Sequence, residues 1–283
     1  MARARGRLSV RIVDSHVHLW DVDAFPIPWF RDGLGLPTVS SVAEYRQVAE
    51  PCGVEAAIAV QVADSVEEAR WLTAATAADA VVRRAVLQYE PAAGHPLGAT
   101  AFEGADLAGV RAAVPQFAAD LSDVAGLDAL ADALGASGRV LELLLRPEQL
   151  EGAATLASRH PDTAIVLCHL GLGHGEPDEA WLSGLTAFAA QPNAHAKFSG
   201  LLSATRTDAA LTELAGTAFR LFRADRLMFG SDWPMSARTH SYADVVAATR
   251  RALPHPDSPD FWSGTATRLY GCPSSAPEQD PGP

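Results

Sequence analysis

Cysteine is scarce in this chain, and what there is carries no framework. Cys52, Cys168 and Cys272 are far apart and odd in number, which fits neither a set of disulfides nor a zinc-finger spacing and points to a reducing, cytoplasmic setting. No apolar run approaches the roughly 20 residues that span a bilayer, so no membrane partner is expected. Basic charge is also thin. A formal net charge of −12 argues against a nucleic-acid partner, because phosphate binding needs a basic patch. The one basic cluster, Arg3, Arg5, Arg7 and Arg11, lacks the apolar core of a secretory signal and is too short for a transit peptide, so residues 1–9 read as a solvated leader. Residues 274–283, with three prolines and no apolar pattern, read as a disordered tail.

What remains, residues 10–273, reads as one domain. With 48% hydrophobic and 20% charged residues the chain suits a well-packed globule. Short apolar runs near 11–16, 56–62, 85–88, 108–112, 140–144, 164–169, 194–199 and 227–231 alternate with helical patterns at 42–49, 66–77, 127–136, 147–159, 179–190, 209–222 and 242–253. The runs are too apolar for a half-exposed sheet, which predicts parallel strands covered by helices. Eight of them fit a closed (β/α)8 TIM-type barrel, a fold of about 250 residues, with its active site at the strand C-terminal ends. Proline followed by acids at Pro147-Glu148-Gln149 and Pro177-Asp178-Glu179 marks helix starts. The segment 91–106 is too rich in glycine and proline for a helix. Residues 21–37, flanked and crossed by Trp20 and Trp29, read as a long irregular loop over the barrel mouth, a candidate lid or wall unless its aromatics simply pack down, the latter being preferred.

The chemistry hangs from His16-Val17-His18. Two histidines two residues apart on an apolar run share one side of a strand, where their ring nitrogens need partners: a metal, or a reacting carbonyl oxygen. The other expected strand ends carry Gln61, Gln88, Arg111, Glu142, His169, Lys197 or Ser199, and Asp232. A pure scaffold has no reason for so many polar strand ends, so the pattern predicts an enzyme. Glu142 either faces the interior, as an extra ligand or an acid of raised pKa, or pairs with Arg139 or Arg146 at a strand end, the latter being preferred. His195 and Lys197 share one face of the seventh strand.

The ordered set His16-x-His18, Cys168-His169-Leu170-Gly171 and Gly230-Ser231-Asp232-Trp233-Pro234 resembles the amidohydrolase superfamily, and within it the branch of sugar-lactone and 2-pyrone-4,6-dicarboxylate lactonases. The resemblance extends over nearly the whole chain, through Val60-Gln61-Val62, Leu107-Ala108-Gly109-Val110-Arg111, Pro192-Asn193, Lys197-Phe198-Ser199-Gly200-Leu201 and Arg226-Leu227-Met228-Phe229. It implies a hydrolase that opens a small-molecule lactone. His16, His18, His169 and Asp232 would be catalytic and, where a metal is bound, would hold one divalent ion, zinc first; some members of the branch work without metal. Asp232 would take a proton from water and return it to the leaving ring oxygen, with the histidines stabilising the oxyanion. Arg111 would meet the substrate's acidic or oxygen-rich end, and Gln61, Trp233 and Arg206 complete the expected substrate contacts.

Three departures stand out. Cys168 replaces the usual aspartate and reads as buried packing rather than a nucleophile. Gly171-Leu172-Gly173-His174 lacks the family's basic residue and proline, with His174 read as an exposed loop residue. In Gly264-Thr265-Ala266-Thr267-Arg268-Leu269-Tyr270, Thr265 stands before Ala266 where relatives generally carry asparagine, a position read as structural. Two other functions stay open: a metal-dependent decarboxylase of an aromatic or unsaturated acid, and a catalytically silent barrel used for binding. The substrate's identity and any homo-oligomer are not legible.

Overall fold

A computed structural model describes residues 10–89, 107–173 and 175–272. The expected leader at 1–9, the glycine- and proline-rich stretch 91–106, His174 and the tail at 274–283 lie outside the described residues. Among those described, a parallel eight-stranded sheet runs in the order β1 (Ile12–Val17), β4 (Val54–Val60), β5 (Val82–Tyr89), β6 (Leu107–Ala113), β7 (Val140–Leu144), β8 (Ile165–Leu167), β9 (Ala194–Phe198) and β10 (Leu227–Phe229). It closes on itself just past β10: Asp232 N donates to His16 O (2.9 Å) and His18 N to Trp233 O (2.7 Å). The fold is the expected (β/α)8 barrel. No helix among the described residues is long and apolar enough to cross a membrane.

The strands are buried on both faces, as parallel strands under helices must be. Outward side chains such as Ile12, Leu87, Val110 and Leu141 pack beneath the helices, while Val13, Ile58, Val86, Val140, Val166 and Met228 fill the interior. The helices are α1 (Val42–Ala49), α2 (Val66–Ala77), α3 (Leu127–Ala136), α4 (Leu150–Arg159), α5 (Glu179–Ala189), α6 (Asp208–Phe222) and α7 (Tyr242–Ala252), and all but α3 and α4 start at a capping side chain. Ser41 with Glu44 and Ser241 with Asp244 form capping boxes, and Asp178 accepts from Trp181 N at 2.7 Å.

Two features depart from the sequence reading. A π turn (Asp260–Gly264) leads into a short α8 (Thr265–Tyr270), whose Ala266 and Tyr270 join the interior cluster, and Arg84 near the start of β5 donates to Tyr270 O. At six residues behind a glycine, α8 has too little periodicity to announce itself. The loop after β1 is pinned by a two-strand ladder, β2 (Trp20–Asp21) with β3 (Val39–Ser40). Its aromatics pack down as expected: Trp20 stacks edge-on to Trp29 at 5.9 Å, and Trp29 Nε1 donates to Val62 O at 3.0 Å.

Candidate active site

The site begins with a fault in β1. Its register against β4 shifts between Asp14 and Val17, a bulge that re-aims side chains. Asp14 therefore lies against the helices, where Oδ2 accepts from Tyr45 of α1 (3.0 Å) and Tyr242 of α7 (2.8 Å) and Oδ1 from Ser231 N (2.8 Å). His16, two residues on, turns into the barrel. His18 follows the strand's end, and its Nδ1 lies 2.7 Å from Val60 O. A carbonyl only accepts, so this contact puts the His18 proton on Nδ1 and leaves a lone pair on Nε2.

The far half of the chain supplies the rest. Both His169, after β8, and Asp232, after β10, adopt left-handed backbone (φ 53° and 58°), uncommon for residues with a Cβ and frequent at functional sites. His16 Nε2 and His18 Nε2 are 3.2 Å apart. Asp232 Oδ1 stands 3.5 Å from His18 Nε2, 3.7 Å from His16 Nε2 and 4.0 Å from His169 Nε2. The carboxylate's spacings are long for direct hydrogen bonds and suit groups gathered around a shared atom. His169 Nδ1 is 2.9 Å from Ser199 Oγ, a contact the sequence reading had not assigned. The backbone is shaved to admit these rings: a Cβ on Gly200 (φ +63°) would sit 2.6 Å from His169 Nδ1, and one on Gly230 2.8 Å from His16 Cβ.

Electrostatics separate the acid from the imidazoles. Burial lowers the pKa of His16 strongly and that of His169 less, with Lys197 adding to the first. Burial alone would raise Asp232, but His169, His18 and Arg111 together pull it below the usual carboxylate value. The constellation thus holds an ionised carboxylate beside two imidazoles, His16 and His169, whose pKa burial lowers. Arg111 is 5% exposed, donates to Gln61 O (2.6 Å) and Gln88 Oε1 (3.1 Å), and has no carboxylate partner among the described residues.

The donor set also fits a divalent ion. His16, His169 and Asp232 offer ligand atoms within 4.8 Å of one another, and His18 Nε2 lies 3.2 Å from His16 Nε2; nitrogen and oxygen donors of this kind suit zinc.

Not every expected contact reaches the substrate space. A cavity of about 350 Å³ opens beside Asp232, lined by Ser199, Gly200, Ser231, Ser236, Arg206 and Arg238 among others. Arg206 is in its wall, but its guanidinium is engaged with Leu201 O (2.7 Å) and Glu176 (3.1 Å). Gln61 is spent on the backbone, its Nε2 on Ser65 O and its Oε1 on Gln88 N. The Trp233 ring is buried against Tyr45 at 5.5 Å. Glu142 corrects the preferred pairing: strand alternation carries it into the interior, and it meets Lys197 Nζ at 2.6 Å and Tyr270 OH at 2.6 Å. Arg139 and Arg146 are on backbone carbonyls instead, Leu107 O and Pro115 O. Cys168 is buried beside Glu142, and burial pushes its thiol far up, which suits packing and not nucleophilic attack.

Comparison with known proteins identifies the family. The chain is 27% identical over 295 residues to an L-fucono-1,5-lactonase of Burkholderia multivorans, covering 93% of this chain and 97% of that protein. A crystal structure of an amidohydrolase from Burkholderia multivorans with bound zinc superposes with a TM-score of 0.80 at 26% identity, covering 93% of this chain and all of that one. A Pseudomonas putida protein assigned as a 2-pyrone-4,6-dicarboxylic acid hydrolase shares the fold at a TM-score of 0.71 and 20% identity, over 94% and 99% of the two chains. The family model described as Amidohydrolase matches residues 13–272, and the chain belongs to that family.

Proposed function

We propose that the protein is a lactonase that opens the cyclic ester of a small polyhydroxylated acid. The observation that carries this reading is the ionised Asp232 ringed by three imidazoles at a cavity whose other polar lining is largely hydroxyl, from Ser199, Ser203, Thr205, Ser231, Ser236 and Thr239. Hydroxyl groups both donate and accept, as the hydroxyls of a sugar lactone require. The kinship with an L-fucono-1,5-lactonase supports the same class.

In this reaction Asp232 takes a proton from water as the water oxygen bonds to the lactone carbonyl carbon. The carbonyl oxygen becomes an oxyanion, held by the Nε2 donor of His16 and by the Arg111 guanidinium. When the intermediate collapses, the bond from carbon to ring oxygen breaks, and Asp232 passes its proton to that oxygen, giving the open hydroxy acid. Where an ion is present, His16, His18, His169 and Asp232 would hold it, and it would polarise the carbonyl and acidify water.

The purified protein is tested against sugar lactones, pyrone carboxylates and aryl carboxylates, following acid release and carbon dioxide separately. Acid release from sugar lactones is expected; no opening of any lactone, or decarboxylation of an aryl acid, would reject the proposal. Gly200→Ala is expected to lower kcat/KM about 100-fold, because its Cβ displaces the His169 ring and misplacement of about 1 Å costs that much. Unchanged kinetics in that variant would remove His169 from the reaction.

A further inference from the structure

Beneath the cavity lies a polar cluster that the hydrolytic reaction does not itself use. Lys197 is the sole lysine of the chain and is fully buried inside the barrel. Its Nζ lies 2.6 Å from Glu142 Oε1, 2.7 Å from Ser15 O and 3.3 Å from His16 Nδ1. Glu142 is held in turn by Tyr270 OH at 2.6 Å and by the Cys168 thiol at 3.4 Å. A lone buried carboxylate is costly, and here a cation of the protein's own sits within hydrogen-bond reach of it.

We propose that Lys197 is a positioning residue that holds His16 in the tautomer with its proton on Nε2, so that His16 turns a hydrogen-bond donor toward His18 and Asp232. An ammonium group has three N–H bonds and no acceptor. Two of them are taken by Glu142 and Ser15 O, and the third meets His16 Nδ1, which must then offer its lone pair. The His16 proton is left on Nε2. Its neighbour at 3.2 Å is His18 Nε2, which is free to accept because His18 donates from Nδ1 to Val60 O. The chain of donors runs from Lys197 through His16 to His18 without a conflict. In most metal sites the back nitrogen of a ligating histidine faces an acceptor; here it faces a cation, and an ion held by His16 Nε2 would have to take the place of this proton. Under the lactonase reading, on which the use of this donor rests, the hydrogen bond from His16 Nε2 turns from His18 to the carbonyl oxygen as the oxyanion forms.

The test is long-range nitrogen–proton NMR of the histidine rings in the presence of a chelator, with His16 assigned from the signals lost in His16→Gln. Because Lys197→Met alone would strand Glu142, the informative variant is the double Lys197→Met, Glu142→Gln, which replaces a buried pair by neutral groups of similar volume. The wild type is expected to show His16 with its proton on Nε2, and the double variant a mixture containing the Nδ1 tautomer. Its kcat is expected to fall about 100-fold with KM nearly unchanged, the scale of a lost oxyanion donor. Tyr270→Phe, which disturbs Glu142 but leaves Lys197 in reach of His16, is expected to keep the wild-type tautomer. An Nδ1 proton in the wild type, an unaltered tautomer in the double variant, or an equal change in Tyr270→Phe would each overturn the proposal. The NMR result needs no substrate, so it stands or falls apart from the lactonase reading.

Discussion

Asp232→Asn is expected to lower kcat by at least about 1000-fold while leaving the protein folded, since positioned acid–base groups contribute about 100- to 10,000-fold and Asp232 serves in both proton transfers. The substitution is nearly isosteric. Asparagine is also among the residues that best tolerate left-handed backbone, so φ 58° is retained at little cost. The backbone bond from residue 232 N to His16 O, which closes the barrel, does not involve the side chain. Steady-state lactone hydrolysis measured beside the thermal midpoint separates the two contributions. Full turnover in a folded Asp232→Asn protein would end the general-base assignment, and a collapse of the midpoint would show that the carboxylate is structural.

Lys197→Met alone is expected to cost about 3–5 kcal/mol, the range for removing one member of a buried charge pair, out of a total stability of about 5–15 kcal/mol. The loss comes from Glu142, which is 0% exposed and would keep only Tyr270 OH and a thiol as partners. Adding Glu142→Gln is expected to restore most of that stability, because the stranded charge is then gone. Urea denaturation of the single and double variants measures both steps. If the single variant lies within about 1 kcal/mol of the wild type, Glu142 does not depend on Lys197 for its charge.

The barrel was readable because strand and helix periods differ, and because parallel strands buried on both faces leave unmistakable apolar runs. The helix limits at 42–49, 66–77 and 127–136 agree with α1, α2 and α3, where apolar spacing decides them and, for α1 and α2, serine caps the start. The gathering of His16, His18, His169 and Asp232 was legible from the order of motifs. What alternation could not supply was side-chain direction. A strict period of two would put Asp14 on the same side as His16, yet the bulge sends Asp14 to two tyrosines outside the barrel and His16 within it. Likewise Glu142 and Lys197 were each seen as polar strand residues, but their pairing spans β7 and β9, which are not neighbours in the sheet, and so depends on barrel curvature. Arg206 and Gln61 were expected to meet substrate because they follow strands; local carbonyls compete for the same donors and hold them first.

The seam where the last strand meets the first has a bearing on how the molecule comes into being. His16 and His18 leave the ribosome early, whereas Asp232, and the Tyr270 that steadies the buried pair, emerge more than two hundred residues later. Contacts so distant along the chain form late and slowly. No nascent fragment can therefore assemble the reactive centre, and the onset of hydrolysis during synthesis or refolding would report the moment the cylinder shuts.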